Sequence, residues 1–258
     1  MRYVDLNCDM GEGAGHDEQL MPVITSANIA CGFHAGDAET MAQTIRLCKQ
    51  HRVAVGAHPS FPDRDNFGRL ERPCTPEEVY NWVQEQVQTL QRIAQQQDAR
   101  VMHVKPHGAL YNQAAREQRL AAAIAHAVKD INPQLVLVGL SGSFLVSEAA
   151  ALGLATASEV FADRTYQDDG SLTPRSQPGA LTEEEAASVQ QVLHIIREGK
   201  VKALSGKEVP LQAQTICLHG DGPHAVPFAK AIYAALANAG ISIQPLHALS
   251  IQAGSINP

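Results

Sequence analysis

Val4-Asp5-Leu6-Asn7-Cys8-Asp9-Met10-Gly11-Glu12 begins as an apolar, strand-like run and ends in a cluster of acids. The same break recurs in Asn28-Ile29-Ala30-Cys31-Gly32-Phe33-His34-Ala35-Gly36-Asp37, in Val55-Gly56-Ala57-His58-Pro59 and in His103-Val104-Lys105-Pro106-His107-Gly108. Ser158-Glu159-Val160-Phe161-Ala162-Asp163-Arg164 and Cys217-Leu218-His219-Gly220-Asp221-Gly222 carry it towards the far end of the chain. Buried strands are apolar, and charged side chains are rarely buried unless paired. Polar clusters at the C-terminal ends of strands, spread along the whole chain, are what a (β/α) barrel needs to assemble one site.

Outward from these blocks, strand-like runs at 2–7, 27–31, 53–57, 101–105, 135–140, 155–160, 215–219 and 242–246 alternate with helix-like ones. Helices are expected over 38–51, 76–97, 114–129, 143–152 and 225–239. Thr75, Pro76 and Glu78 make a capping-box start, and Thr182 with Glu185 repeats it before a run closed by Gly199. Strict alternation predicts an α/β fold: a distorted (β/α) barrel of seven or eight parallel strands, forming a single domain over 1–258. A doubly wound open sheet is the rival, but it would gather its ligand residues at one switch point. Two long connections, 58–75 and 163–181, are expected to be lids or binding loops.

Composition narrows the function. A formal charge of −7 and a hydrophobic content of 45% describe a globular chain without a broad basic surface, so no nucleic-acid partner is expected. No apolar stretch is long enough for a membrane span, and the strand-like Arg2-Tyr3-Val4 start leads to the expectation of no signal peptide. The five cysteines form no C-x-x-C pair and read as free thiols, which points to the cytoplasm. Neither a G-x-x-x-x-G-K-[ST] loop nor a G-x-G-x-x-G turn after a strand is present.

Candidate chemistry follows the strand ends. Asp5, Asn7 and Asp9 alternate onto one face of the first strand, so Asp5 and Asn7 are expected to face the barrel axis. Asp9 and Glu12 either join the site or cap a turn. His34 and His58 end the next two strands and, with Asp5, would make an Asp-His-His constellation of the kind that holds zinc. Spacing alone leaves the metal open. Asp5 is the leading general base, with His107, Glu159 and His219 next in line. His103 and His107 make a weak metal pair because Pro106 and Val104 oppose a helix there. Lys105 must meet a carboxylate or an anionic substrate, and Asp163, Arg164 and Arg175 can serve the same end. Asp221 is placed to orient His219. The cysteines at strand ends are expected to fill small apolar spaces.

Taken together, these blocks resemble the LamB/YcsF family over essentially the whole chain and in order, including Phe67-Gly68-Arg69 and Val104 through Asn112. The resemblance implies a barrel of the glycoside hydrolase/deacetylase type. It also implies a 5-oxoprolinase activity, the ATP-dependent opening of 5-oxo-L-proline (pyroglutamate) to L-glutamate with partner subunits B and C. ATP would be bound mainly by those partners. A divalent metal, as in the Asp-His-His sites of polysaccharide deacetylases, remains open at Asp5, His34 and His58. Substrate contacts would fall to Asn7, Glu12, Lys105, Asp163, Arg164 and Asp221, with Asp5, His34, His58, His107, Glu159 and His219 nearer the chemistry. Two alternatives stand beside this one: a stand-alone metal-dependent amidase or carbohydrate deacetylase, and a non-catalytic substrate-binding subunit.

Overall fold

The computed structural model describes residues 3–182, 184–218 and 225–246. Its polar blocks sit on parallel strands β1 (Tyr3–Met10), β2 (Ser26–Ala30), β3 (Ala54–His58), β4 (Val101–Val104), β5 (Val136–Leu140) and β6 (Ala155–Phe161). A separate antiparallel pair, β7 (Lys200–Lys202) and β8 (Glu208–Pro210), precedes β9 (Thr215–Leu218). Neighbours pair in chain order, β6 pairs with β9, and β9 returns to β1 from Asp5↔Thr215 to Cys8↔Leu218. The ring is therefore closed with seven strands, and an open sheet is excluded. The expected eighth strand shrinks to β10 (Ser242–Ile243), which pairs only with Tyr3 and Val4 at the foot of β1.

Outside the ring lie α1 (Asp17–Leu20), α2 (Ala38–His51), α3 (Pro76–Gln95), α4 (Gly108–Arg116), α5 (Gln118–Ile131), α6 (Phe144–Ala151), α7 (Glu185–Glu198) and α8 (Ala225–Asn238). Thr75 and Glu78 form the full capping box of α3, which buries Val79, Val83, Val87, Leu90 and Ala94 on one face. Two helix expectations need correction. The run 114–129 is two helices, because Glu117 takes an extended conformation (φ −113°, ψ 101°) between α4 and α5. Thr182 does not cap α7; its amide donates to Asp163 O, and Glu184 holds the N-cap position without a side-chain bond. Gly199 ends α7 at φ +66°, as expected of a left-handed cap. Among the described residues no helix is long and apolar enough to cross a membrane.

Alternation along β1 divides the molecule into two environments. Val4, Leu6, Cys8 and Met10 point outward into the core beneath the helices. The opposite face, inside the ring, is a polar column in which Asp5, Asn7, Ser26, Asn28, His103, Glu159 and Thr215 are all buried. Lower on β5 and β6, Val136, Val138 and Ala157 meet Leu246 in a small apolar cluster. Gly56 is what lets the column form: a Cβ there would lie 2.0 Å from His103 Nε2. The missing side chain gives the His103 ring room to reach Asn28 Oδ1 at 2.8 Å.

Candidate functional site

The polar column is a continuous hydrogen-bond network leading up to the barrel mouth. Asn28 Nδ2 donates to Asn7 Oδ1 at 2.7 Å and to Asp9 Oδ1 at 2.8 Å. Asn7 Nδ2 donates to Glu159 Oε1 at 2.9 Å. Lys105, from just beyond β4, sets its ammonium 3.0 Å from both Asp9 Oδ1 and Glu159 Oε1, with Cys217 Sγ also at 3.0 Å. Burial opposes the ammonium charge, but Asp9 and Glu159 outweigh it and hold the Lys105 pKa well above its ordinary value. Burial pushes the Cys8 and Cys217 thiols well up, so both are neutral packing groups.

Three histidines and an acid crowd together above this network. His34 follows β2, His58 ends β3, His107 precedes α4, and Glu12 lies in the turn after β1. One ligand-type atom from each of the four lies within 4.8 Å of all the others. His34 and His107 stack at 3.8 Å between centroids, and His34 Nε2 is 3.0 Å from Glu12 Oε1. Burial, with His58 alongside, lowers the His34 pKa to about 2; burial beside His34 and His58 likewise holds His107 well below its usual range. Both rings are neutral at physiological pH.

A cavity of about 780 Å³ opens over this cluster. Asp9, Glu12, His58, Lys105 and His107 line one wall, and Arg164 and Arg175 from the connection after β6 line another. Tyr111, Asn112 and Ser141 to Ser143 fill in between, with Arg69 from the connection after β3. Both long connections therefore border the cavity, but they are held differently. The first is fastened to the frame: Gly68 O accepts from Ala109 N at 2.9 Å, Phe67 O meets His107 Nε2 at 2.9 Å, and Arg64 Nη1 donates to Gly32 O and Gly36 O. The second is largely bonded to itself, through the bridges Arg164↔Leu181 and Tyr166↔Leu172. The Arg164 guanidinium donates to Thr173 O at 2.6 Å, and burial beside Arg175 lowers its pKa to about 10, so it stays charged. The cavity thus brings together acids, imidazoles and guanidinium groups, the last suited to a carboxylate or phosphate.

Residues 4–251 match the family model described as LamB/YcsF. The chain belongs to the LamB/YcsF family. It is 54% identical over 248 residues to the A-type subunit of 5-oxoprolinase from Geobacillus kaustophilus, covering 95% of this chain and 97% of that protein. The crystal structure of a lactam utilization protein from Thermus thermophilus superposes with a TM-score of 0.88 at 44% identity, over 95% of this chain and 100% of that one. Peptidoglycan deacetylase PdaC from Bacillus subtilis, at 11% identity and a TM-score of 0.51 over 97% and 90% of the two chains, shares the fold alone.

Within this LamB/YcsF chain the expected site residues fall into three groups. Glu12, His34, His58 and His107 come together, and Asn7, Lys105 and Glu159 lie in the network against them. Asp5 does not join the histidines. Its carboxylate accepts from Ser26 Oγ at 2.6 Å, Thr25 Oγ1 at 2.7 Å and Thr215 Oγ1 at 2.5 Å, and it is absent from the cavity wall. Four residues of strand set it about 13 Å below Asp9. The expected Asp5-His34-His58 constellation is therefore corrected: the acid beside the histidines is Glu12. Asp163 is half-buried and is not part of the cavity wall. His219 and Asp221 lie outside the described residues. Tyr111 and Ser141 to Ser143 were not singled out as site residues by the sequence, although each directly follows a barrel strand or the turn beyond it.

Proposed function

We propose that residues 1–258 act as one barrel subunit of a cytoplasmic, ATP-dependent 5-oxoprolinase that opens 5-oxo-L-proline to L-glutamate together with subunits B and C. The observation that carries this reading is 54% identity, over nearly the full length of both chains, to a protein named as the A-type subunit of 5-oxoprolinase. The two-walled cavity supports it chemically. The substrate is a small anion bearing an unstrained amide, and here arginines line the same cavity as acids and imidazoles.

A five-membered lactam resists water, so opening it needs activation. Phosphoryl transfer from ATP to the amide oxygen yields an imidate-like electrophile and ADP. Water then adds at the ring carbon, the C–N bond breaks with a proton passing to nitrogen, and a second water releases phosphate from the resulting acyl phosphate. With no phosphate-binding loop in this chain, ATP falls mainly to the partners. Arg164 and Arg175 hold the substrate carboxylate or the phosphoryl group. Asp9, at the cavity wall, takes a proton from water, the role expected of Asp5 from the sequence. All three Lys105 protons are engaged by protein acceptors, so Lys105 fixes Asp9 and Glu159 rather than offering itself to an anion.

The test is glutamate formation from 5-oxo-L-proline and ATP, with this chain added to or omitted from subunits B and C. Glutamate should appear only when all three are present. Equal rates without this chain would overturn the reading. ATP-independent release of acetate from acetylated sugars by this chain alone would support the deacetylase alternative instead.

A further inference from the structure

We propose that Glu12, His34, His58 and His107 bind one divalent transition-metal ion, of the zinc class, at the wall of the barrel-mouth cavity. His58 Nδ1 lies 2.7 Å from the carbonyl of Lys105, and His107 Nε2 lies 2.9 Å from the carbonyl of Phe67. Carbonyls only accept, so each of these nitrogens carries a hydrogen, and these bonds turn the opposite nitrogen of each ring towards the cluster. Those two nitrogens, His58 Nε2 and His107 Nδ1, face one another at 2.9 Å. Glu12 Oε1 stands 3.8 Å from the first and 3.3 Å from the second, adding another acceptor. Three imidazoles and a carboxylate that converge this closely make a ready seat for a cation.

The remaining geometry agrees. His34 brings Nε2 to 3.0 Å from Glu12 Oε1, while its Nδ1 is buried without a hydrogen-bond partner. Zinc bonds of about 2.0–2.2 Å place tetrahedral ligand atoms about 3.3 Å apart, and the separations of 2.9, 3.0, 3.3 and 3.8 Å bracket that value. Backbone carbonyls orienting two ligating rings are the outer shell such sites use. Three imidazoles and one carboxylate suit zinc and its first-row neighbours better than magnesium or calcium. The ligands follow four consecutive strands, β1 to β4, and do not include Asp5. Glu12, His58 and His107 border the cavity, so an ion there would face its contents. Such an ion supplies Lewis-acid polarisation of a carbonyl or phosphoryl oxygen.

This inference stands independently of the 5-oxoprolinase reading, because its test reads binding rather than turnover. The full chain, purified without a histidine tag and stripped with chelator, is titrated with Zn²⁺ and with Mn²⁺ by calorimetry, and metal content is measured before stripping. We expect one site per chain and a Tm raised by about 5–10 °C at Zn²⁺ 100-fold above Kd. Glu12→Gln and His107→Gln should each weaken binding by more than the roughly 10–100-fold that loss of an outer-shell partner costs. His194→Ala, at a half-buried histidine of α7 remote in sequence from the cluster, should leave it unchanged. Variant folding is checked by circular dichroism, and should one variant not fold, the other decides. Absence of a one-to-one site in the wild-type chain would overturn the proposal. Binding unchanged by both substitutions would also overturn it, as would a doubly protonated His58 ring persisting in the nitrogen-15 spectrum under excess Zn²⁺.

Discussion

Asp5→Asn removes a charge from the barrel axis while preserving side-chain shape. Burial raises the Asp5 carboxyl from 3.8 to about 6 in the folded protein, against the pull of its three hydroxyl donors. Between those two pH values the native state therefore holds more of this proton than the unfolded chain does. Stability falls as pH climbs through the window, and the whole cost is present above about pH 6. The gap corresponds to about 3 kcal/mol. Asparagine cannot titrate, so the stability of Asp5→Asn relative to wild type should rise by about that amount between pH 4 and pH 7. A constant offset of about 1 kcal/mol accompanies it, because the amide nitrogen no longer accepts from Thr215. Urea unfolding at pH 4, 5, 6 and 7 measures the profile, and glutamate formation in the reconstituted system measures the chemistry. Turnover should stay within a few fold of wild type at pH 7. A stability difference that does not change with pH, or a loss of about 10²–10⁴-fold in turnover as for a missing general base, would refute this account of Asp5.

Other substitutions probe the column and the cavity. Gly56→Ala drives a methyl into His103 and frees Asn28 Oδ1; overpacking of about 1–3 kcal/mol should lower Tm by several degrees in a thermal melt. Lys105→Met leaves Asp9 and Glu159 facing each other without their cation; it should cost about 3–5 kcal/mol in urea unfolding and abolish glutamate formation. Arg175→Ala, at the exposed rim, should raise KM for 5-oxo-L-proline about tenfold with kcat nearly unchanged, as steady-state kinetics will read. Thr75→Ala breaks the α3 capping box; it should lower stability by about 1 kcal/mol and leave turnover intact, which calorimetry beside the same assay will test.

The barrel was legible because each strand ends where apolar alternation meets a polar cluster, and β1 to β6 and β9 fall within one or two residues of the expected runs, except that β1 continues to Met10. The break at Glu117 was not, since Ala114-Ala115-Arg116-Glu117-Gln118 contains neither glycine nor proline and every residue tolerates a helix. Thr182 carried a cap-like spacing, but its backbone is committed to Asp163 across the connection, a long-range bond that local pattern does not register. The inward face of β1 was legible, but the height of each residue along the barrel axis was not. Period-two alternation places Asp5, Asn7 and Asp9 inside the ring together, yet only Asp9 reaches the cavity. Glu12 lies beyond the strand, where no periodicity applies, and its meeting with three histidines depends on how four separate turns fold over the barrel.

The contrasting attachment of the two long connections bears on how this scaffold acquires new substrates. Residues 61–69 share hydrogen bonds with the histidine turn and with the glycines after β2, so transplanting a foreign segment there would disturb the histidine cluster itself. The arginine-bearing segment closes on itself through Tyr166↔Leu172 and exposes residues 174–179. A library randomised over 174–179 would vary the arginine-bearing side of the cavity while the imidazoles stay in place, making that stretch the natural point of entry for redesigning what the cavity admits.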